Sequence, residues 1–286
     1  MSKAAAHKRS IILVSEDYDP DAWSTLEGGE SEFQSWAAVV HDLWGVGCYG
    51  PGQLDSVRTG AGGLTITKKQ IVGAVGGAIG GVAEVAAENG GAYIDVFDCD
   101  GAVLAFKQKD SGGSKLLKLA PWDAANPTFP AERYHSLIAF RPLTFNASPE
   151  PVLKALAGAM KPGGQLYIDE LHASDPSVAA LIAQSIAAPG QKLTLHPAEA
   201  TKLLQAEGME LRSTATANDQ LAAEIHAGLA RGQEIAQILK TVPKPFRKQR
   251  LSAFADELQR AAVLYQALDR GLVTAIRTIH RKSSAL

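Results

Sequence analysis

Residues Gly73–Asp98, GAVGGAIGGVAEVAAENGGAYIDVFD, pass from a glycine-dense turn through a short helical segment into an apolar strand that ends in an acid. Glycines at such a turn let the backbone approach a ligand closely, and an acid at the end of the next strand is placed to accept from ribose hydroxyls. The order is that of a site for a nucleotide-type cofactor. One position departs from it: Ala74 stands where an acid ahead of the glycines would contribute most. A membrane helix is the competing reading of Ile71–Ala87, because Gly73, Gly77 and Gly81 repeat at GxxxG spacing. The run is shorter than the roughly 20 residues a span needs, it contains Glu84, and its glycines make a poor helix.

Outward from this stretch, strands and helices alternate. Leu64–Val75 contains a first strand, Gly80–Glu88 reads as a helix closed by Asn89-Gly90-Gly91, and Ala92–Phe97 is a second strand. Lys115–Ala120 and Tyr134–Phe140 read as the third and fourth. Ser148 with Pro149 and Pro151 opens a helix to Met160, and Lys161-Pro162-Gly163-Gly164 turns the chain into a fifth strand, Gln165–Glu170. Asp175-Pro176 and His196-Pro197 each open a further helix, and Gly208 precedes a strand at Met209–Thr214. Asn218 caps a long helical tract that Lys240–Arg250 interrupts, with prolines at 243 and 245. Leu251, Phe254, Leu258, Ala261, Tyr265 and Leu268 then form an apolar stripe, and Leu272–Ile279 is a last strand. Ahead of the sheet, Ser31 and Gln34 fit a capping box for a helix through Phe33, Trp36, Val40 and Leu43, followed by a glycine-rich loop to Gly52.

Composition narrows the function classes. The 286 residues suit one core domain with helical additions, and 46% apolar with 20% charged residues is a globular balance. A net charge of −2 gives no global attraction to nucleic acid. The basic run Lys240, Lys244, Arg247, Lys248 and Arg250 lacks the aromatic residues on which single-stranded bases stack. Neither a nucleic-acid partner nor a membrane span is expected. Cys48 and Cys99 have no metal-ligand spacing, so no metal is expected either. Two lone thiols, with no apolar run near the N-terminus long enough for a secretory signal, point to the cytoplasm.

Taken together, these segments resemble the class I S-adenosylmethionine-dependent methyltransferases over roughly residues 35–282. The most specific piece is Ala155–Glu170, ALAGAMKPGGQLYIDE; Leu43–Gly52, LWGVGCYGPG, resembles a loop ahead of the cofactor motif in some bacterial members. The resemblance implies an α/β fold: a Rossmann-like, seven-stranded, mostly parallel sheet with helices on both faces, an N-terminal helical cap and a helical insertion before the last strand. It places an arm and cap over 1–60 and the methyltransferase domain over 61–286, with the insertion at about 217–270.

Carried over residue by residue, the family's first motif falls on Ala74–Gly80, where Gly76 and Gly80 match and Ala74 and Ala78 do not. S-adenosylmethionine is then expected to touch Gly76, Gly77, Gly80, Asp98 at the ribose, Asp123 at the adenine, and Tyr49 from the glycine loop. Candidate bases are His172 and Glu170 past the fifth strand and His135 in the fourth. Arg141 is the candidate for holding an anionic substrate. The expected activity is methyl transfer to a small-molecule acceptor. The alternative, favoured by Ala74, is a catalytically silent relative acting as a binding or scaffold subunit, with a protein partner or a dimer contact through the C-terminal helices.

Overall fold

The computed structural model describes residues 32–45, 48, 50–76, 91–98, 116–123, 125–144, 146–188 and 192–284. Tyr49, Gly77, Gly80, the helix expected over 80–88 and the capping-box pair's side chains lie outside them. Seven strands form one sheet: β1 Ile71–Val75, β2 Tyr93–Asp98, β3 Leu117–Pro121, β4 Tyr134–Phe140, β5 Met160–Ala173, β6 Met209–Thr216 and β7 Val273–Lys282. Their order is β3-β2-β1-β4-β5-β7-β6, and β7 alone runs antiparallel to its neighbours. The stretch Ile71–Val75, tested above as part of a membrane helix, is a strand, and no described helix is long and apolar enough to cross a membrane.

Eight helices are described: α1 Glu32–Trp44, α2 Gln53–Gly63, α3 Pro149–Ala159, α4 Pro176–Ile186, α5 Leu203–Ala206, α6 Asn218–Ala230, α7 Gly232–Thr241 and α8 Lys244–Asp269. Alternation along the strands sorts the core onto two sheet faces. Ile71, Val75, Leu166 and Ile168 pack with α3 and with Leu204 of α5; Val72, Ala74 and Tyr167 pack in the cluster that holds Val57 of α2. A third cluster joins α1, α4, α6, α7 and α8 over the ends of β5 and β7 as a cap.

Several expectations shift. Helix α2 fills the stretch between the loop expected to Gly52 and the first strand expected from Leu64, to which the sequence reading assigns no element, since QLDSVRTGAGG is poor helix sequence. It forms because the chain packs closely on the sheet: a Cβ on Gly60 would sit 2.7 Å from the Tyr167 ring. The Lys-Pro-Gly-Gly segment is an irregularity inside β5, between the Tyr134–Met160 and Ser136–Gln165 pairings, with Gly163 at φ 76°. The linker expected over Lys240–Arg250 is largely the start of α8, where Pro245 occupies the first turn and loses no helical bond. The stripe on α8 is rotated from the expected one. Ala253, Phe254, Glu257, Ala261, Leu264, Ala267 and Leu268 are buried, whereas Leu251 and Tyr265 are exposed.

Glu257 is a carboxylate on that buried face, and it is the cap's central acceptor. Oε2 accepts from Trp36 Nε1 (3.0 Å) and Arg260 Nε (3.0 Å), and Oε1 accepts from Trp44 Nε1 (2.7 Å). Helix α6 passes over Trp44 at Gly228, where an added Cβ would lie 2.0 Å from the indole ring.

The sheet also buries His280, opposite Leu166 and Leu211 on β7. Its Nε2 meets Thr278 Oγ1 at 3.1 Å, its Nδ1 has no partner among the described residues, and burial pushes its pKa down to about 4. The unfolded chain, titrating near 6.5, binds more protons between these values. Stability is therefore retained above about pH 6.5 and lost as pH falls through about 4, by roughly 3 kcal/mol from this residue. Denaturant titrations at pH 7 and pH 4.5 should show His280→Leu losing less stability on acidification than the wild type. Parallel losses would refute the assignment.

Candidate functional site at the sheet's switch point

Strand order reverses between β1 and β4, so the crevice for a ligand opens at their carboxyl ends. Gly76 ends β1 there. Its φ is 87°, and a Cβ built on it would lie 2.0 Å from the Phe140 carbonyl oxygen, so no side chain fits. Its backbone is fully paired: the N–H donates to Phe97 O (3.1 Å) and the carbonyl accepts from Gln53 Nε2 (3.1 Å). Gln53, buried at the start of α2, ties that helix to the glycine bend. Val75 pairs with Phe97, so Asp98 stands one residue further on, beside Gly76, and it is 4% exposed. Gly76 and Asp98 are thus brought together at the mouth.

Asp123 lies beyond β3, exposed, and its Oδ1 accepts from Ala125 N (2.9 Å) in a turn of its own loop. On the other flank Arg141 follows β4 in a left-handed conformation, φ 49°. Its backbone N–H donates to Asp169 O (2.7 Å), and its guanidinium crosses to the glycine loop, where Nη2 donates to Pro51 O (3.2 Å). From above, Glu224 of α6 accepts from Gly52 N (2.8 Å), and burial raises its pKa. Beneath it, Arg277 joins Asp169 (2.8 Å) to Asp55 of α2 (3.0 Å).

The structure removes His135 from the crevice. It is the second residue of β4, at the amino end, where Nδ1 accepts from Ile71 N (3.3 Å) and Nε2 faces Lys161 Nζ (3.3 Å). Glu170 is at the correct end but engaged: Oε2 accepts from Leu143 N (2.7 Å), and Oε1 from Thr144 Oγ1 (2.6 Å) and Leu171 N (2.9 Å). Burial pushes its pKa up to about 7 against the pull of these donors. His172 is 1% exposed, and its Nδ1 donates to His196 O (3.2 Å), while His196 Nε2 donates to Asn146 O (2.8 Å). A carbonyl only accepts, so both histidines carry their proton on the named nitrogen. Together these groups pin the loops after β4 and before α5. Among the described residues no cluster of His, Cys, Asp or Glu is placed to hold a metal ion.

Gln53 and Glu224 escaped the sequence reading. Gln53 left no signal, because its helix was not legible. Glu224 did leave one: it keeps helical spacing with Leu221, Ile225 and Gly228, so an acid lies among buried positions.

No protein-family profile matches the sequence, and no curated protein matches it. Solved structures do. Phosphoethanolamine N-methyltransferase 2 of Haemonchus contortus, solved with phosphomonomethylethanolamine and S-adenosylhomocysteine, superposes with TM-score 0.72 at 12% identity, over 89% of this chain and 58% of that one. A sarcosine dimethylglycine methyltransferase homologue from Galdieria sulphuraria gives 0.62 at 16%, over 82% and 85% of the two chains. The cyclopropane synthase MmaA2 of Mycobacterium tuberculosis gives 0.64 at 11%, over 80% and 84%. The fold is that of the class I S-adenosylmethionine-dependent methyltransferases. Likeness at this identity shows the fold alone, and this chain spans little more than half the length of the Haemonchus contortus enzyme.

Gly76→Ala should destabilise the protein by roughly 3 kcal/mol or more, since strand ends must separate and φ is left-handed. Gly158→Ala, in α3 with open space around it, should instead stabilise by about 0.5–1 kcal/mol. Denaturation midpoints check both, and equal effects would refute the close approach. Glu170→Ala should lose about 2–4 kcal/mol by orphaning two backbone N–H groups. Because the folded pKa is raised, the wild type's advantage is greatest below about pH 4.5 and shrinks as pH rises through about 7. An advantage that grew with pH would contradict this.

Proposed function

We propose that the chain binds S-adenosylmethionine across the switch point and transfers its methyl group to a small-molecule acceptor held beneath the helical cap. The observation that carries this reading is a buried acid, Asp98, beside an obligatory left-handed glycine, Gly76, at the strand ends where the fold's ligands sit. These residues fit the group: Asp98 would accept from the ribose hydroxyls, the backbone at Gly76 would lie against the adenosyl moiety and Asp123 would stand on the adenine side, while the other candidates, Gly77, Gly80 and Tyr49, lie outside the described residues. Bound S-adenosylmethionine supplies an already activated methyl on a sulfonium. The chain's own task is to exclude water and align the acceptor atom with that methyl. Glu170 and His172 contribute by fixing the loops after β4 and β5, with their polar atoms held by neighbouring backbone. An acceptor atom that attacks through its own lone pair suits such a site. The names of two structural neighbours, a phosphoethanolamine N-methyltransferase and a sarcosine dimethylglycine methyltransferase, support a small-molecule acceptor over a nucleic acid.

A second reading rests on Ala74, which is 1% exposed within the apolar cluster under α2 and provides no carboxylate toward the ligand. On that reading the chain is a catalytically silent binding or scaffold subunit. Calorimetric titration with S-adenosylmethionine and S-adenosylhomocysteine separates the two. The enzyme reading expects binding in the micromolar range that weakens by about a hundredfold in Asp98→Ala, equivalent to losing charge-assisted bonds to two hydroxyls. No heat at millimolar cofactor would leave only the silent reading.

A further inference from the structure

We propose that Arg141 is a receptor for an anionic oxygen, a carboxylate or phosphate, on a ligand entering the crevice from beneath the cap. This rests on the crevice described above as the ligand site, but not on methyl transfer itself.

Four observations converge on this residue. First, among the described residues it makes no ion pair. The carboxylates near enough to feel it, Asp169, Glu170, Glu224 and Glu257, are each engaged elsewhere: by Arg277, by the Leu143–Leu171 donors, by Gly52 N and by the two indoles with Arg260. Buried cations are ordinarily paired, and one left without a partner inside a crevice is prepared for a ligand.

Second, its donors are largely unspent. One N–H reaches Pro51 O (3.2 Å), and Nε is covered yet has no acceptor among the described residues. Third, the side chain is half-buried. It keeps part of its surface accessible, while desolvation by the surrounding protein lowers its pKa. The guanidinium lies over the Phe140 ring, 4.7 Å from its centroid, which fixes its plane.

Fourth, the backbone is held in an unfavourable conformation to achieve this. Arg141 is one of two described non-glycine residues with positive φ, at 49°, and glycine or asparagine would adopt that geometry more readily. Conformations of this kind persist only where the surrounding structure holds them, and they cluster at ligand sites.

The anionic oxygen has two possible sources, the cofactor's own carboxylate or an acidic group on the acceptor, and one experiment distinguishes them. Arg141→Gly suits the left-handed backbone and removes a half-buried cation with no ion pair among the described residues, so the variant should melt at or above the wild-type temperature. Wild type and variant are titrated with S-adenosylhomocysteine, with 5′-methylthioadenosine, which lacks the carboxylate, and with inorganic phosphate. If Arg141 holds the cofactor carboxylate, the variant binds S-adenosylhomocysteine about tenfold or more weakly and 5′-methylthioadenosine unchanged. If it holds the acceptor's acid, both adenosyl compounds bind the variant normally, and phosphate raises the melting temperature of the wild type but not of the variant. Should the wild type bind neither adenosyl compound, the proposed function fails, yet the phosphate comparison still decides the anion site. Identical responses of wild type and Arg141→Gly to all three probes would overturn the proposal, as would an Arg141→Gly protein that melts well below the wild type because the side chain is merely structural.

Discussion

The close approach of Gly76 to the Phe140 carbonyl governs the mouth of the sheet. Two parallel strands that meet this tightly leave no room for a side chain between them. The chain therefore bends in a left-handed sense and commits its remaining backbone groups to β2 and to Gln53. Gln53 fixes the first turn of α2, and the loop leading into that turn is carried over the crevice. Arg141 follows Phe140 directly, so its strained backbone and its reach back to Pro51 belong to the same local geometry. The bend at the end of β1, a helix packed on the sheet face and the placement of Arg141 thus share one steric cause.

The cap is organised differently, by polarity rather than by contact distance. Glu257 occupies a place on α8 that an aliphatic residue would fill at no electrostatic penalty. Its carboxylate instead satisfies two indole N–H groups and a guanidinium, all buried or nearly so. Replacing such a group with apolar surface is often neutral for stability, whereas removing one partner alone is costly. Its value is directional. It fixes which turns of α1 and α8 face each other, and with Gly228 against Trp44 it sets how closely α6 lies over them.

The sheet was legible from the sequence because apolar strands with terminal punctuation read locally. Asp175-Pro176 opened α4 as expected, with Asp175 capping Ser177 N at 2.8 Å, and Pro149 with Pro151 opened α3. Where tertiary contact overrides local preference, the reading failed. Helix α2 carries Gly60, which tolerates no Cβ against Tyr167, and this packing rather than local preference holds the segment helical. The stripe on α8 was drawn from hydrophobicity alone, which favours Leu251 and Tyr265 over a glutamate. Of the candidate site, Asp98 and Gly76 were placed at the crevice by strand order. His135 was not, because its position along β4 depends on where pairing with β1 begins, and no residue type encodes that.

The helices that form the cap lie far apart in the sequence. The contact of Trp36 with Glu257 spans 221 residues, and that of Trp44 spans 213. On a ribosome α1 emerges early, with its buried face unmatched, while the strands behind it are still being made. Contacts so distant along the chain are slow to form, because loop closure precedes any compensating interaction. The cap is therefore completed only once α8 has been translated, more than 200 residues after α1, and a nascent chain exposes both tryptophans until then.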